Sequence, residues 1–541
     1  MWTADPARPQ ARAVAARGER VVAVGSEDDV APLVGPATRV VELGGRLAVP
    51  GFIDAHTHFG NAAAWAFRVG LYDAPDARAA CALVAEHARR VPAGMWLTGG
   101  DLGAAAAWDA DAAARPRPAP FALDRRALDD AAPRHAVLLR RVDGAYVASS
   151  LALARARFGT DTPDPRGGRI ERDARGEPTG VLCGRAGERV LELIPPPSLE
   201  QRVIGARAAL EDLRRAGITS IHDVARVDAL SQRRVFHTDV ERSATEIELF
   251  RELQRRGELS VRVYAHLSLP LWREAVAAGL RPRADDGRIR IGGMKGYIDG
   301  FFMDEPYLGG RSRGDFTFRF TDEATMAADV AGADAAGFDP VVHTIGDRAH
   351  ALLLDWSEAA MATNPPRDRR FRVIHAWYPT AAHIERIGRL GLLVDVTPQH
   401  VASDAGVVDR KLGPARARTA HAWRSLADAG ARIELVSDWP GSFNEQRATP
   451  LAPLENLALA VTRGWHPEQR LSVEEALVAC TRTPAYASYE EDRKGTLSEG
   501  KLADLVVLSD DILRTSPERI RDARVDLTVL DGCVIFEREG A

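Results

Sequence analysis

A chain of 541 residues is too long for one ordinary domain, although a large barrel with additions fits that length. With 45% hydrophobic and 27% charged residues it reads as a soluble globular protein, not a disordered or fibrous one. A net charge of only −5 and the lack of a basic stripe argue against binding a polyanion, so no nucleic-acid partner is expected.

The N-terminal stretch MWTADPARPQARAVAARGER has no apolar core of the signal-peptide kind, and no run reaches about eighteen apolar residues. No membrane partner is expected, and a cytoplasmic location follows by default. Within residues 1–46, RAVAARGERVVAVGS and TRVVEL read as short strands separated by turns. Residues 495–541 carry a matching set, ADLVVLSDD and VDLTVLDGCVIFE. The two ends are expected to form one small composite β-sandwich domain.

Between them, residues 47–494 contain eight short apolar, β-branched runs. In order they are LAVPGFIDAHTH, GITSIHDV, LSVRVYAHL, IRIGGMKGYIDG, FDPVVHTIGD, FRVIHAW, LLVDVTPQH and RIELVSDWP. Leu47 to Ile53 reads as one strand buried on both faces. Helical stretches such as DEATMAADVAGADAAG and AAHIERIGRLG separate most of the runs. Alternation of this kind predicts parallel strands with crossover helices. The fold class expected is therefore α/β, a (β/α)8 TIM barrel, whose reactive groups gather at the C-terminal ends of the strands. Residues about 95–205, including the Pro-rich DAAARPRPAPFALD, form an insertion expected to lie over the barrel mouth.

Most of these runs end in residues capable of chemistry. His56 and His58 are one residue apart, so a strand would turn both imidazoles to one side, where they could share a metal ion or simply hydrogen-bond each other. Lys295, His343, His375 and Asp438 stand at later strand ends. Three or four histidines plus an anionic oxygen suit zinc or a similar divalent ion, one or two of them. Lys295 either pairs with Asp299 or, once neutral, reacts with carbon dioxide to give a carbamate ligand. Asp438 could bind metal and carry the proton from water to a leaving amine, or could only cap a helix. Asp438, Lys295 and His343 are the residues expected to carry catalysis. The cysteines, Cys81, Cys183, Cys480 and Cys533, are scattered without a CxxC pair, which argues against a disulfide framework and a thiolate metal site.

Taken together, these residues resemble the amidohydrolase superfamily, in particular the YtcJ-like branch that includes N-substituted formamide deformylases. VPGFIDAHTHF looks like its first-strand motif, KGYIDG its Lys-x-x-x-Asp-Gly segment, and Glu305 to Tyr307 its following EPY. VVHTIGDRA, with His343, Gly346, Asp347 and Arg348, matches its His-x-x-Gly-Asp motif, and RVIHA, VSDWP and GTLSEGKLADLVVL follow in order. The resemblance implies a metal centre of His56, His58, Lys295, His343, His375 and Asp438. It also implies hydrolysis of a C–N, amide-type bond through metal-activated hydroxide. Four positions depart from the pattern: Ile374 stands where Glu is usual, Ala145 and Ser149 alter the insertion motif, and Gly184 replaces an acidic residue. They are read as substrate or supporting positions. Phe59, Trp65, Tyr297, Phe301, Phe302, Trp377 and Trp439 lie near the expected mouth and favour a small apolar or aromatic substrate. The alternatives carried are a deaminase on the same scaffold and a catalytically silent binding protein. A homodimer is allowed for.

Overall fold

The computed structural model describes residues 1–65, 68–71, 74–102, 123–141, 145–195, 197–224, 246–299, 322–405, 408–440 and 451–540. Its centre is a nearly closed barrel of eight parallel strands. In chain order these are β1 (Phe52–Thr57), β2 (Ile218–Asp223), β3 (Arg262–Ser268), β4 (Ile289–Tyr297), β5 (Pro340–Thr344), β6 (Arg372–His375), β7 (Leu393–Val396) and β8 (Arg432–Leu435). Each pairs with the next in parallel register, from β1 to β8. The seam between β1 and β8 closes just beyond the end of β8. There the Asp438 N–H donates to the His56 carbonyl at 3.0 Å, and the His58 N–H donates to the Trp439 carbonyl at 2.7 Å. All eight runs expected from the sequence hold a barrel strand.

Side chains alternate along these strands, as a period of two requires. Val373, Val394, Val396, Ile433 and Leu435 turn outward into the core shared with the surrounding helices. Arg372, Asp395 and Glu434 turn into the lumen, where Arg372 reaches across to β1 and β2. Helices Glu323–Ala335, Asp347–Thr363 and Ala381–Arg389 make the crossovers after β4, β5 and β6. Asp322 caps the first of them, and Thr380 with His383 forms a capping box on the third.

Three further sheets flank the barrel. Cys533–Glu537, Val525–Leu530, Leu505–Leu508 and Leu47–Pro50 make an antiparallel sheet in that order, and Ala13–Arg17 with Arg20–Gly25 makes a ribbon beside it. A six-stranded mixed sheet runs from Arg68–Gly70 through Trp96–Leu102, Ala136–Arg141, Tyr146–Ala148 and Pro178–Gly184 to Gly168–Arg172. Leu47 to Ile53 is thus two strands and not one. At Gly51 the chain leaves the small sheet, where its N–H bonds the Asp504 carbonyl, and Phe52 takes up the Gly217 carbonyl of the barrel. A Cβ at Gly51 would come within 2.3 Å of the Thr219 hydroxyl, so only glycine fits the crossing. Among the described residues no helix is long and apolar enough to cross a membrane.

Candidate metal centre

The exit of β1 carries His56 within the strand and His58 just beyond it, their rings edge to face with centroids 5.3 Å apart. Across the seam Asp438 points its carboxylate at both. Its Oδ1 lies 3.3 Å from the His56 Nε2 and 3.1 Å from the His58 Nε2. All three side chains are buried, and their ligand atoms lie within 4.8 Å of one another. Asp438 holds a left-handed backbone, φ 60°, and so do His375 at 72° and Ala376 at 46°. Such conformations cost energy and persist where surrounding structure fixes them, often at functional sites.

The other expected ligands ring this trio. His375, ending β6, lies 5.7 Å from His56 between ring centroids, and His343 of β5 lies 4.6 Å from His375. Lys295, near the end of β4, is buried, with its Nζ over the Tyr297 ring at 4.7 Å and no hydrogen-bond partner among the described residues. Its expected alternative partner, Asp299, instead accepts the Ile345 and Gly346 N–H groups at 3.0 and 2.6 Å.

Burial sets the protonation states. It lowers the His56 imidazole to about 3, with the Lys295 charge adding, and lowers His375 well below its usual value. Both rings are therefore neutral, the form that binds metal. Burial also lowers Lys295 to about 7, against the pull of Asp438 and Asp395. Burial would raise Asp438, but the close approach of His56 and His58 outweighs it and holds the carboxyl well below its usual range.

These residues fit a divalent ion. Ligand atoms about 2.1 Å from one tetrahedral zinc stand roughly 3.4 Å apart, close to the 3.3 and 3.1 Å found between Asp438 and the two imidazoles. A buried carboxylate and neutral imidazoles are also the donor types such an ion takes.

Other expectations change. Phe59 is fully buried against Phe250, ring centroids 5.1 Å apart, and so lines no mouth, while Trp439 is buried in the same core. Tyr297 and Trp377 do stand beside His343 and His375. Phe301, Phe302, Glu305 to Tyr307 and the Trp65 side chain lie outside the described residues. Gly184 and Ser149 serve the insertion's own fold. Gly184 has φ 53°, and a Cβ there would sit 2.5 Å from the Gly167 carbonyl oxygen, which excludes an acidic side chain. Ser149 caps helix Ser150–Arg155 and accepts the Val137 N–H at 2.9 Å.

Sequence reading missed a polar layer beneath the trio: His222 of β2, His266 of β3, Arg372, Asp395 and Glu434, all buried. Arg372 donates to the Ala55 carbonyl at 3.2 Å and lies 2.7 Å from His222 Nδ1. It also missed Asp54, whose Oδ1 accepts the His56 and Ser437 N–H groups, both at 3.2 Å. Burial raises that carboxyl to about 7.

Comparison with known proteins agrees with this architecture. Residues 39–536 match the amidohydrolase family, and the chain belongs to it. "Protein LONG AFTER FAR-RED 3" of Arabidopsis thaliana is 30% identical, over 94% of this chain and 86% of its own. "Putative amidohydrolase YtcJ" of Bacillus subtilis is 28% identical over 96% and 97%. "N-substituted formamide deformylase" of Arthrobacter pascens is 26% identical over 100% and 97%. A crystal structure of an uncharacterized metal-dependent hydrolase from Pyrococcus furiosus superposes with a TM-score of 0.71 at 22% identity, over 93% of this chain and 95% of that one, and shares the fold. The protein is a hydrolase of the amidohydrolase family.

Proposed function

We propose that the protein is a metal-dependent hydrolase that cleaves a C–N, amide-type bond of a small apolar or aromatic substrate. The observation that carries this reading is the convergence of His56 Nε2, His58 Nε2 and Asp438 Oδ1 in one buried site at the barrel mouth. His56, His58 and Asp438 would hold a divalent ion, zinc first among them, with His375, His343 and Lys295 completing the surroundings. Bound there, such an ion supplies Lewis acidity and acidifies water. Asp438, an ionised carboxylate in a buried site, takes the proton released by the attacking water and returns it to the leaving amine. The neutral Lys295 amine is the form that carbon dioxide converts to a carbamate, an anionic ligand reaching the site from β4. Tyr297 and Trp377 give the site an apolar flank, which favours an aryl or alkyl amide. The likeness to an N-substituted formamide deformylase along the whole chain supports the same class of substrate.

The test is a panel of N-formyl and N-acyl amides offered to metal-loaded protein, with release of acid and amine measured separately. Turnover of N-substituted amides, lost on chelation and restored by zinc, is the expected result. Turnover that survives complete metal removal would sink the proposal.

A further inference from the structure

We propose that Asp395 positions His56 for metal binding by accepting the hydrogen on its Nδ1. The inference rests on the metal-centre reading above. His56 turns Nε2 toward Asp438 at 3.3 Å, which leaves Nδ1 facing the other way, into the lumen. There it meets the Asp395 carboxylate, with Oδ2 at 3.9 Å. Both side chains are buried, at 1% and 0% exposure. Among the described residues His56 Nδ1 has no hydrogen-bond partner, while the Asp395 carboxyl has Glu434 and Arg372 beside it.

Unsatisfied buried polar atoms are costly, and here a donor and an acceptor face each other. A neutral imidazole that gives its Nε2 lone pair to an ion must carry its hydrogen on Nδ1. The group placed to receive that hydrogen is Asp395. Closing the gap to about 2.9 Å, an ordinary hydrogen bond, needs a shift of about one ångström. Carboxylates in this relation to a metal-bound histidine fix its tautomer and ring orientation.

The surroundings hold Asp395 for that task. It sits between Val394 and Val396, which are packed outward in the core, so its own side chain is fixed toward the lumen. Arg372 lies 3.7 Å from its Oδ2 and donates to the Ala55 carbonyl, tying the carboxylate to the backbone immediately before His56. The competing view is that Asp395 only neutralises Arg372. Glu434 stands 3.5 Å from the same guanidinium, but burial pushes its carboxyl well above the usual range, so zinc affinity and not charge balance separates the two roles. Across the sheet Asp395 pairs in register with Ile374, so β6 brings no carboxylate to this level of the lumen.

The experiment is zinc affinity by competition with a chromophoric chelator, for wild-type protein and Asp395→Asn, with the melting temperature of each metal-free protein. Zinc binding is expected to weaken about 10- to 100-fold in the variant, by more than any shift in metal-free stability explains. Wild-type protein that binds zinc, with a folded variant matching it to within about twofold, overturns the positioning role and leaves the metal centre standing. Wild-type protein that binds no divalent ion overturns both. Should Asp395→Asn not fold, a crystal structure of zinc-loaded wild-type protein decides. A His56 Nδ1 to Asp395 distance near 2.9 Å supports the role, and one still near 3.9 Å overturns it.

Discussion

Asp438 meets His56 twice: its backbone N–H donates to the His56 carbonyl at 3.0 Å, and its Oδ1 lies 3.3 Å from the His56 Nε2. The bond that closes the barrel and the contact that builds the site are made by the same pair. Backbone pairing therefore fixes the ligand geometry, and a change in the Asp438 side chain can be read without loss of the seam.

Asp438→Asn is the informative variant, because asparagine tolerates the left-handed φ of 60° that alanine would strain. The fold should survive, and kcat should fall by a factor on the order of 10² to 10⁴, as for loss of a general acid–base group. Metal content is measured on the same sample. Unchanged kcat at full occupancy removes Asp438 from proton transfer.

Lys295 is buried without a hydrogen-bond partner among the described residues, which costs stability. Lys295→Met should abolish activity yet raise the stability of metal-free protein, by about 1 kcal/mol or more. Urea denaturation checks this. A destabilised variant would show that the amine is paired in solution.

The same residue predicts a pH dependence. Folding lowers the Lys295 amine from 10.5 to about 7, so between those values the unfolded chain holds a proton that the folded one has released. The stability of metal-free protein in carbon dioxide-free buffer should rise across that window, because the unfolded state binds more protons there. Below about 7 both states are protonated and the penalty stays constant. Lys295→Met should lack this rise, and equal slopes for the two proteins would contradict it.

Gly184→Glu, which restores an acidic residue, should destabilise the protein by about 1–3 kcal/mol, through its positive φ and the clash with the Gly167 carbonyl. Zinc affinity should be unchanged. A melting curve with a zinc titration separates the two effects.

The barrel was legible because parallel strands buried on both faces read as continuous β-branched runs, and chemistry gathers where they end. Arg372, Asp395 and Glu434 were harder to see, because each lies inside a run and looks like an interruption. Their signal is alternation: Val394 and Val396 flank Asp395, and Ile433 and Leu435 flank Glu434, which marks the polar residue as lumen-facing. Arg68–Gly70 joins the insertion's sheet with only three residues, too few for any periodicity. The break at Gly51 depends on Thr219, a residue far along the chain, so no local pattern announces it.

The proposed hydrolysis depends on a divalent ion held by His56, His58 and Asp438. Elemental analysis of wild-type protein, stripped with chelator and reconstituted with zinc, beside His56→Ala and His58→Ala treated alike, tests it most directly. Wild-type protein should regain stoichiometric metal and turnover together, while both variants should regain neither. Full metal content in both variants, or full activity in stripped wild-type protein, would contradict it.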